Sequence, residues 1–277
     1  MTYFEHIPTG LLSKYIDKFW YCQADDLTHT TMTIPLLYHE LVFNFSDNYS
    51  ISHVPGYDNI LNNTTSWICG IQKRPVISKS AGKHEMMGVL FKPNGLKAFT
   101  KYHASDFAYS FIEADLVFDT SFAGLIDQLQ NVTIAKDKIS LIENYLVKNL
   151  NPDHTPAYLT KSLDLFGVHS DEKIYVKDTC SKISISKNSL IKSYQKHIGI
   201  SPVKYLQLLS INKALSKLSI DPQQSLTKLA YDLNFYDQAH FIHLFKSTTN
   251  ITPKQYADFV DKNKIDASSP NFISFQG

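Results

Sequence analysis

Hydrophobic and polar residues alternate differently in the two halves of the chain. Residues 1–100 contain short apolar runs, such as 41–45 (LVFNF) and 87–91 (MGVLF), which are separated by polar turn clusters at 46–50 and 92–95. Short runs bounded by turn residues are typical of β-strands. The pattern predicts a β-rich, barrel-like N-terminal domain.

Beyond residue 122 the apolar positions take helical spacing. Four of them lie on one face of a single helix: Ile139, Ile142, Leu146 and Leu150. Residues 151–156 (NPDHTP) then supply two prolines and several polar cap-forming residues, which end the helix and mark a domain boundary. We therefore expect an N-terminal domain over residues 1–150 that includes helices.

The segment 157–260 divides into seven short helices, and two parts of it repeat one plan. In each part a first helix, a short turn and a second helix follow one another. The second helix begins after a favoured N-cap residue, Ser186 in the first part and Asp237 in the second. We predict two helix-turn-helix units, over residues 174–197 and 225–247.

The inner positions of the two units correspond. They align in four pairs: Cys180 with Ala230, Ile183 with Leu233, Leu190 with Phe241, and Tyr194 with Phe245. The small residues allow the two helices of a unit to cross closely, and the larger ones, spaced i and i+4, form a buried face. The aromatic residues are therefore assigned to the core, and the opposite face of each second helix is free to enter a DNA groove.

The polar face of each second helix supplies the candidate DNA-binding residues. Asparagine and glutamine suit adenine, isoleucine and alanine suit the thymine methyl group, and lysine suits phosphate. The candidates are Ser186, Lys187, Asn188, Ser189, Ile191, Lys192 and Gln195 in the first unit, and Gln238, Ala239, His240, Ile242, His243 and Lys246 in the second.

The two units also end alike. Residues 199–202 (GISP) and 250–253 (NITP) each contain a turn former, an apolar residue, an N-cap and a proline suited to the first position of a helix. The helix that begins at Pro202 spans roughly 25 Å, so it can space the two reading helices about one DNA turn, near 34 Å, apart.

Charge is distributed unevenly along the chain. Residues 1–150 hold 12 basic and 15 acidic side chains, whereas residues 151–277 hold 15 and 11, within a net charge of +1. A mildly basic C-terminal half suits a polyanion. The chain has no uninterrupted apolar run of about 18 residues, and its N-terminus has no signal-peptide pattern. These features lead us to expect a cytoplasmic protein without a membrane partner.

The pattern of residues 156–260 resembles the AraC/XylS family of bacterial transcription regulators. Its most specific part is 229–246 (LAYDLNFYDQAHFIHLFK), followed by 252–256 (TPKQY). The resemblance implies an α+β protein with an all-α DNA-binding domain over residues 151–263, and the remaining residues, 264–277, look like a flexible tail.

The resemblance also implies partners. Double-stranded DNA and RNA polymerase are expected, a small-molecule effector and a homodimer stay open, and the chain does not say whether the protein activates or represses. The N-terminal pattern, at 36–45, 70–72, 89–95 and 104–106, looks like the cupin-type sensor domain of some members.

The positions that resemble the family's base readers hold no arginine. The only arginine in the chain is Arg74, and the usual arginine positions are occupied by Lys192 and His243. Bidentate reading of guanine is weakened accordingly. We therefore expect an operator rich in A·T pairs.

Two enzyme classes stay open as alternatives. A metal-dependent cupin enzyme needs a convergent set of histidine and glutamate ligands, but the N-terminal histidines are scattered and form no HxH pair. A DNA-alkyl-acceptor repair protein needs a reactive thiolate, and Cys22, Cys69 and Cys180 form no CxxC pair or cysteine cluster. We expect no enzyme activity, no metal and no cofactor.

Overall fold

The computed structural model describes residues 2–53, 59–151, 155–167, 175–262 and 264–276. The strands within these residues are β1 (Thr2–His6), β2 (Ile16–Ala24), β3 (His29–Thr33), β4 (Glu40–Asn44), β5 (Asn48–His53), β6 (Asn59–Asn62), β7 (Ser66–Cys69), β8 (Val76–Ala81), β9 (His84–Phe91), β10 (Phe111–Glu113) and β11 (Phe272–Gln276). The helices are α1 (Ser121–Asn131), α2 (Ala135–Lys148), α3 (Ala157–Gly167), α4 (Val176–Lys182), α5 (Lys187–His197), α6 (Pro202–Ile220), α7 (Leu226–Asp232), α8 (Gln238–Thr249) and α9 (Pro253–Asp261).

The described strands form two antiparallel sheets, which confirms a β-rich N-terminal domain. The first sheet has the order β1-β2-β9-β4-β7-β10, and the second has the order β11-β3-β8-β5-β6. Side chains alternate between the two faces of a strand. In β4, Leu41 and Phe43 join the core beneath α1 and α2, whereas Val42 joins an apolar cluster with Ile51 and Val76 of the second sheet.

Helices α1 and α2 cover the outer face of the first sheet. Ile139, Ile142 and Leu146 are buried there, as their spacing predicts, while α2 ends at Lys148, so that the half-buried Leu150 lies beyond it. The buried Lys138 Nζ lies 2.5 Å from Glu85 Oε1 of β9. This ion pair and the apolar face together hold α2 on the sheet.

The C-terminal region contains the seven predicted helices, α3 to α9, among the described residues. Its core has two parts, one in each predicted helix-turn-helix unit. Residues 152–154 of the predicted domain boundary and residue 174, where the first unit was expected to begin, lie outside the described residues.

The last residues depart from the expected flexible tail. Phe272–Gln276 form β11, which pairs with β3, and Ile273 is fully buried. Ser274 N–H donates to Lys264 O at 2.8 Å, and Tyr256 Oη donates to Pro270 O at 2.7 Å. The alternating residues of β11 bury one face against the second unit, and this contact stabilises a strand that is too short to be recognised from its sequence.

The N-terminal domain also contacts the first unit directly. The buried His39 donates from Nε2 to Ile198 O at 3.1 Å, just beyond the end of α5. The next residue, Gly199, has a φ of +92° and packs so closely on the 3₁₀ turn Ala104–Asp106 that an added Cβ would lie 2.7 Å from Ala104 O. Only glycine fits both this backbone conformation and this contact.

Candidate nucleic-acid interface

The first unit consists of α4, a turn and α5. Ser184 adopts a left-handed φ of +56° in the turn, and Ile185 N–H donates to Cys180 O at 3.1 Å. Ser186 caps α5 by accepting from Ser189 N–H at 3.1 Å. Leu190 and Tyr194 are fully buried, so the opposite face of α5 points away from the core.

The second unit repeats this geometry with α7 and α8. Asn234 has a φ of +63°, and Phe235 N–H donates to Ala230 O at 2.9 Å. Asp237 caps α8 by accepting from His240 N–H at 2.7 Å. The predicted equivalence of Cys180 and Ala230 is confirmed, because each accepts the hydrogen bond that closes its turn.

The inner faces of the reading helices carry one chemical difference. Tyr194 and Phe245 occupy equivalent buried positions, and Tyr194 Oη lies 3.2 Å from Ser162 Oγ of α3. Burial raises the pKa of the Tyr194 phenol, so the hydroxyl stays neutral and acts as a hydrogen-bonding group. The aromatic residues of both helices therefore belong to the core, as their spacing predicts.

All the predicted DNA-binding side chains reach the surface. Ile191 and Ile242 are half-buried, and the other eleven are exposed. Some hydroxyl and amide groups already have partners, because Ser186 Oγ lies 2.9 Å from Ser189 Oγ, and Thr227 Oγ1 donates to Gln238 Oε1 at 2.8 Å. Asn188, Lys192 and Gln195 on α5, together with His243 and Lys246 on α8, are exposed side chains with no side-chain hydrogen bond within the described residues.

The electrostatic character of both reading helices is uniform. Neither α5 (KNSLIKSYQKH) nor α8 (QAHFIHLFKSTT) contains an acidic residue, although Asp237 caps the N-terminus of α8. Lysines on such a surface attract phosphate and give a salt-dependent contribution to binding. The arrangement suits a polyanion on the side opposite the core.

Two exposed tyrosines near α8 were not among the predicted site residues. Tyr231 and Tyr236 are 82% and 87% exposed, which is unusual for side chains of this size. Tyr236 is also the extra residue that makes the second turn one residue longer than the first. Comparing the lengths of the two turns would have identified it from the sequence.

Two features of the described residues concern the enzyme alternatives. No group of three or more potential metal ligands occurs among them. Burial is the main cause that raises the pKa of the Cys69 thiol, which opposes formation of a thiolate. Among the same residues no helix is long and apolar enough to cross a membrane.

Two family models match separate parts of the chain. Residues 179–258 match a helix-turn-helix domain, which includes most of both units. Residues 4–113, which include the strands β2 to β10 and part of β1, match a domain of unknown function (DUF6597).

Curated relatives match the C-terminal part of the chain. The HTH-type transcriptional activator RhaS of Salmonella arizonae is 30% identical over 86 residues, which are 31% of this chain and 31% of that protein. An uncharacterized HTH-type transcriptional regulator of Haemophilus influenzae is 28% identical over 82 residues, or 30% of this chain and 27% of that protein. The chain therefore spans about a third of the length of these relatives.

Solved structures give weaker likenesses. ToxT from Vibrio cholerae aligns with 87% of this chain and 98% of its own, with a TM-score of 0.48 and 11% identity. An AraC-type regulator from Chromobacterium violaceum aligns with 37% of this chain and 91% of its own, with a TM-score of 0.34 and 22% identity.

Proposed function

We propose that the C-terminal helix-turn-helix domain is of the AraC type and that the protein regulates transcription by binding specific DNA sequences. In this proposal α5 and α8 enter successive segments of the major groove. The role places the protein with the genome, in the cytoplasm of a bacterium, where RNA polymerase is its expected partner.

One observation carries the proposal: both units present a solvent-exposed, acid-free reading face on the same backbone plan. The connecting helix α6 has 19 residues, which corresponds to roughly 28 Å. This length supports a separation of the reading helices near one DNA turn, about 34 Å. The proposed contacts are the thirteen side chains predicted from the sequence.

The test is binding of the full-length chain to duplex fragments from its own upstream region at about 150 mM salt, with scrambled DNA as competitor. We use the full chain because residues 1–150 cover Ile198 and Ile273, which an isolated C-terminal domain would expose. A sequence-specific regulator should prefer its site by about a thousandfold or more. Equal binding to both DNAs would contradict the proposal.

Lys192 provides a sharper test of the reading role. Loss of a base contact by Lys192→Ala should weaken specific binding by about 1–3 kcal/mol and relax the preference at one base pair. Lys14→Ala, on an exposed turn of the N-terminal domain, is the matched control and should bind as the wild type does. An equal loss on all sequences would instead indicate that Lys192 contacts only phosphate.

We further propose that the operator is rich in A·T pairs. The proposal is supported by the absence of arginine from both reading helices and by side chains suited to adenine and thymine, such as Asn188, Gln238 and Ala239. Selection of sites from random DNA should return A·T-rich half-sites. In the same assay, His243→Arg should increase the selection of guanine at one position.

The effector role of the N-terminal domain is also a proposal, and Glu40 supports it. Glu40 lies on the same face of β4 as Val42, which packs in the apolar cluster between the two sheets. Its carboxylate accepts a hydrogen bond from Trp20 Nε1 at 2.5 Å. Burial raises the pKa of Glu40 to about 7. Gly88 makes room for the indole, because an added Cβ would lie 2.3 Å from Trp20 Nε1.

A carboxyl group among aromatic rings suits an organic cation as the effector. The rings of Tyr49 and Trp67, 5.7 Å apart, belong to the same apolar cluster between the sheets. Choline or putrescine should raise the melting temperature of the wild type and of the surface control Glu113→Gln, but not that of Glu40→Gln. Equal shifts in all three proteins, or none, would contradict a cation site at Glu40.

A further inference from the structure

The reading helix of the first unit shares a groove with the N-terminal domain. The groove has a volume of about 530 Å³ and is lined by His103 and Ser105 on one wall and by Lys192, Gln195 and Lys196 on the other. The first wall is the 3₁₀ turn Ala104–Asp106 with the residue before it, and the second is one face of α5. Two residues predicted to contact DNA thus lie beside the other domain.

The two walls are held together firmly. Gly199, two residues beyond α5, packs on the backbone of Ala104 with no room for a Cβ. His39 fixes the neighbouring Ile198 carbonyl from inside the N-terminal domain. The groove is therefore a built feature of the folded chain, because its walls meet along a packed contact.

The charge in the groove favours an anion. Lys192 and Lys196 lie one helical turn apart on α5, and the opposite wall contributes an imidazole and a hydroxyl, from His103 and Ser105. The nearby Asp106 carboxylate accepts a hydrogen bond from His103 N–H at 2.9 Å and so has a structural role in the turn. Phosphate is the anion that such lysine, hydroxyl and imidazole groups bind on DNA.

The position of the groove identifies the source of the phosphate. A helix in the major groove is flanked by the two sugar–phosphate strands, and side chains on its flank contact them. Gln195 and Lys192 are three residues apart on α5 and face Ser105 across the groove. Ser105 is exposed, so the N-terminal domain does not cover this flank of α5.

We propose that this groove receives the phosphate backbone beside the segment that α5 reads, so that the N-terminal domain forms part of the DNA interface. The inference rests on the proposed DNA-binding function. It assigns a contact to His103 and Ser105, which lie outside both helix-turn-helix units.

Charge placed at position 105 tests the inference without disturbing the core. In the full-length chain, Ser105→Lys should tighten operator binding and Ser105→Glu should weaken it, each by roughly two- to fivefold at low salt. Ser105→Lys should also steepen the dependence of log K on log salt by about one phosphate contact. The matched controls are Ser140→Lys and Ser140→Glu, on the exposed face of α2, which change the net charge equally.

The outcomes separate the inference from the function on which it rests. Failure of the wild type and of the Ser140 variants to prefer operator DNA would overturn the proposed function. Specific binding in which the Ser105 and Ser140 variants behave alike would overturn only the inference.

Two further results would also overturn the inference. Equal weakening of operator binding by both Ser105 variants would mean that the sign of the charge at position 105 does not matter, so that no phosphate is recognised there. A Ser105 effect on the binding of inorganic phosphate but not of DNA would mean that the groove holds a free anion.

Discussion

The first helix-turn-helix unit ends against the N-terminal domain, whereas the corresponding end of the second unit lies in solvent. Gly199 is buried on Ala104, and its counterpart Asn250, with a φ of +60°, is exposed. The second unit is attached elsewhere, through α6, α9 and β11, where Asn271 Nδ2 donates to Asn212 Oδ1 at 2.8 Å. The same local plan therefore occurs in two environments, and α5 of the first unit shares a groove with the N-terminal domain.

Exchanging Gly199 and Asn250, the residues that follow α5 and α8, should give the largest change in the free energy of unfolding. We expect Gly199→Asn to lower the free energy of unfolding by about 2–4 kcal/mol, because its Cβ would collide with Ala104 O. The reverse change, Asn250→Gly, should stay within about 1 kcal/mol, since the site is exposed and glycine accepts a positive φ. Urea unfolding of the full chain measures both, and similar losses would contradict the difference in environment.

The contact between His39 and the first unit should depend on pH. Burial lowers the pKa of His39 to about 4, so protons bind the unfolded state first as the pH falls. The stability it contributes is therefore present above the unfolded pKa, near 6.5, and is lost towards pH 4, by up to roughly 3 kcal/mol. We expect this loss in the wild type and not in His39→Gln. If the free energy of unfolding of the two proteins changed equally between pH 7 and pH 4, the result would argue against a role for His39.

Reciprocal substitutions at the equivalent positions 194 and 245 should change the free energy of unfolding by an intermediate amount. Phe245→Tyr adds a hydroxyl at a fully buried position, which should cost about 1–3 kcal/mol. Tyr194→Phe removes the hydrogen bond with Ser162 and should cost about 0.5–1.5 kcal/mol. Thermal unfolding of both variants measures these losses. A Phe245→Tyr variant more stable than the wild type would contradict the expectation that the buried hydroxyl is unfavourable at position 245.

Substitutions in the turns between the two helices of each unit should give the smallest change in the free energy of unfolding. Ser184 and Asn234 both have a left-handed φ, a conformation that asparagine tolerates better than serine. Ser184→Asn should therefore raise the free energy of unfolding by about 0.5–1 kcal/mol, and Asn234→Ser should lower it by a similar amount. Changes of the opposite sign in denaturant unfolding would show that the side chains make other contacts in these turns.

The local sequence pattern was sufficient to predict much of the C-terminal domain. The seven helices, the N-caps Ser186 and Asp237, and the turn formers at 199 and 250 were all predicted from spacing and residue type, and the structure confirms them. Each depends on interactions within a few residues of the chain, such as a side-chain oxygen that accepts a backbone N–H three positions later. The exposure of the predicted DNA-binding residues follows from the same periodicity.

Contacts between distant residues could not be predicted in this way. The strand β11 pairs with β3, which lies about 240 residues earlier in the chain, and Gly199 packs on Ala104. The periodicity of a segment indicates which face is buried but not what covers it, because the partner is selected only when the whole core assembles. The helices α5 and α8 and their polar faces could thus be predicted from the sequence, whereas His103 and Ser105 come to lie beside α5 only when the two domains pack together.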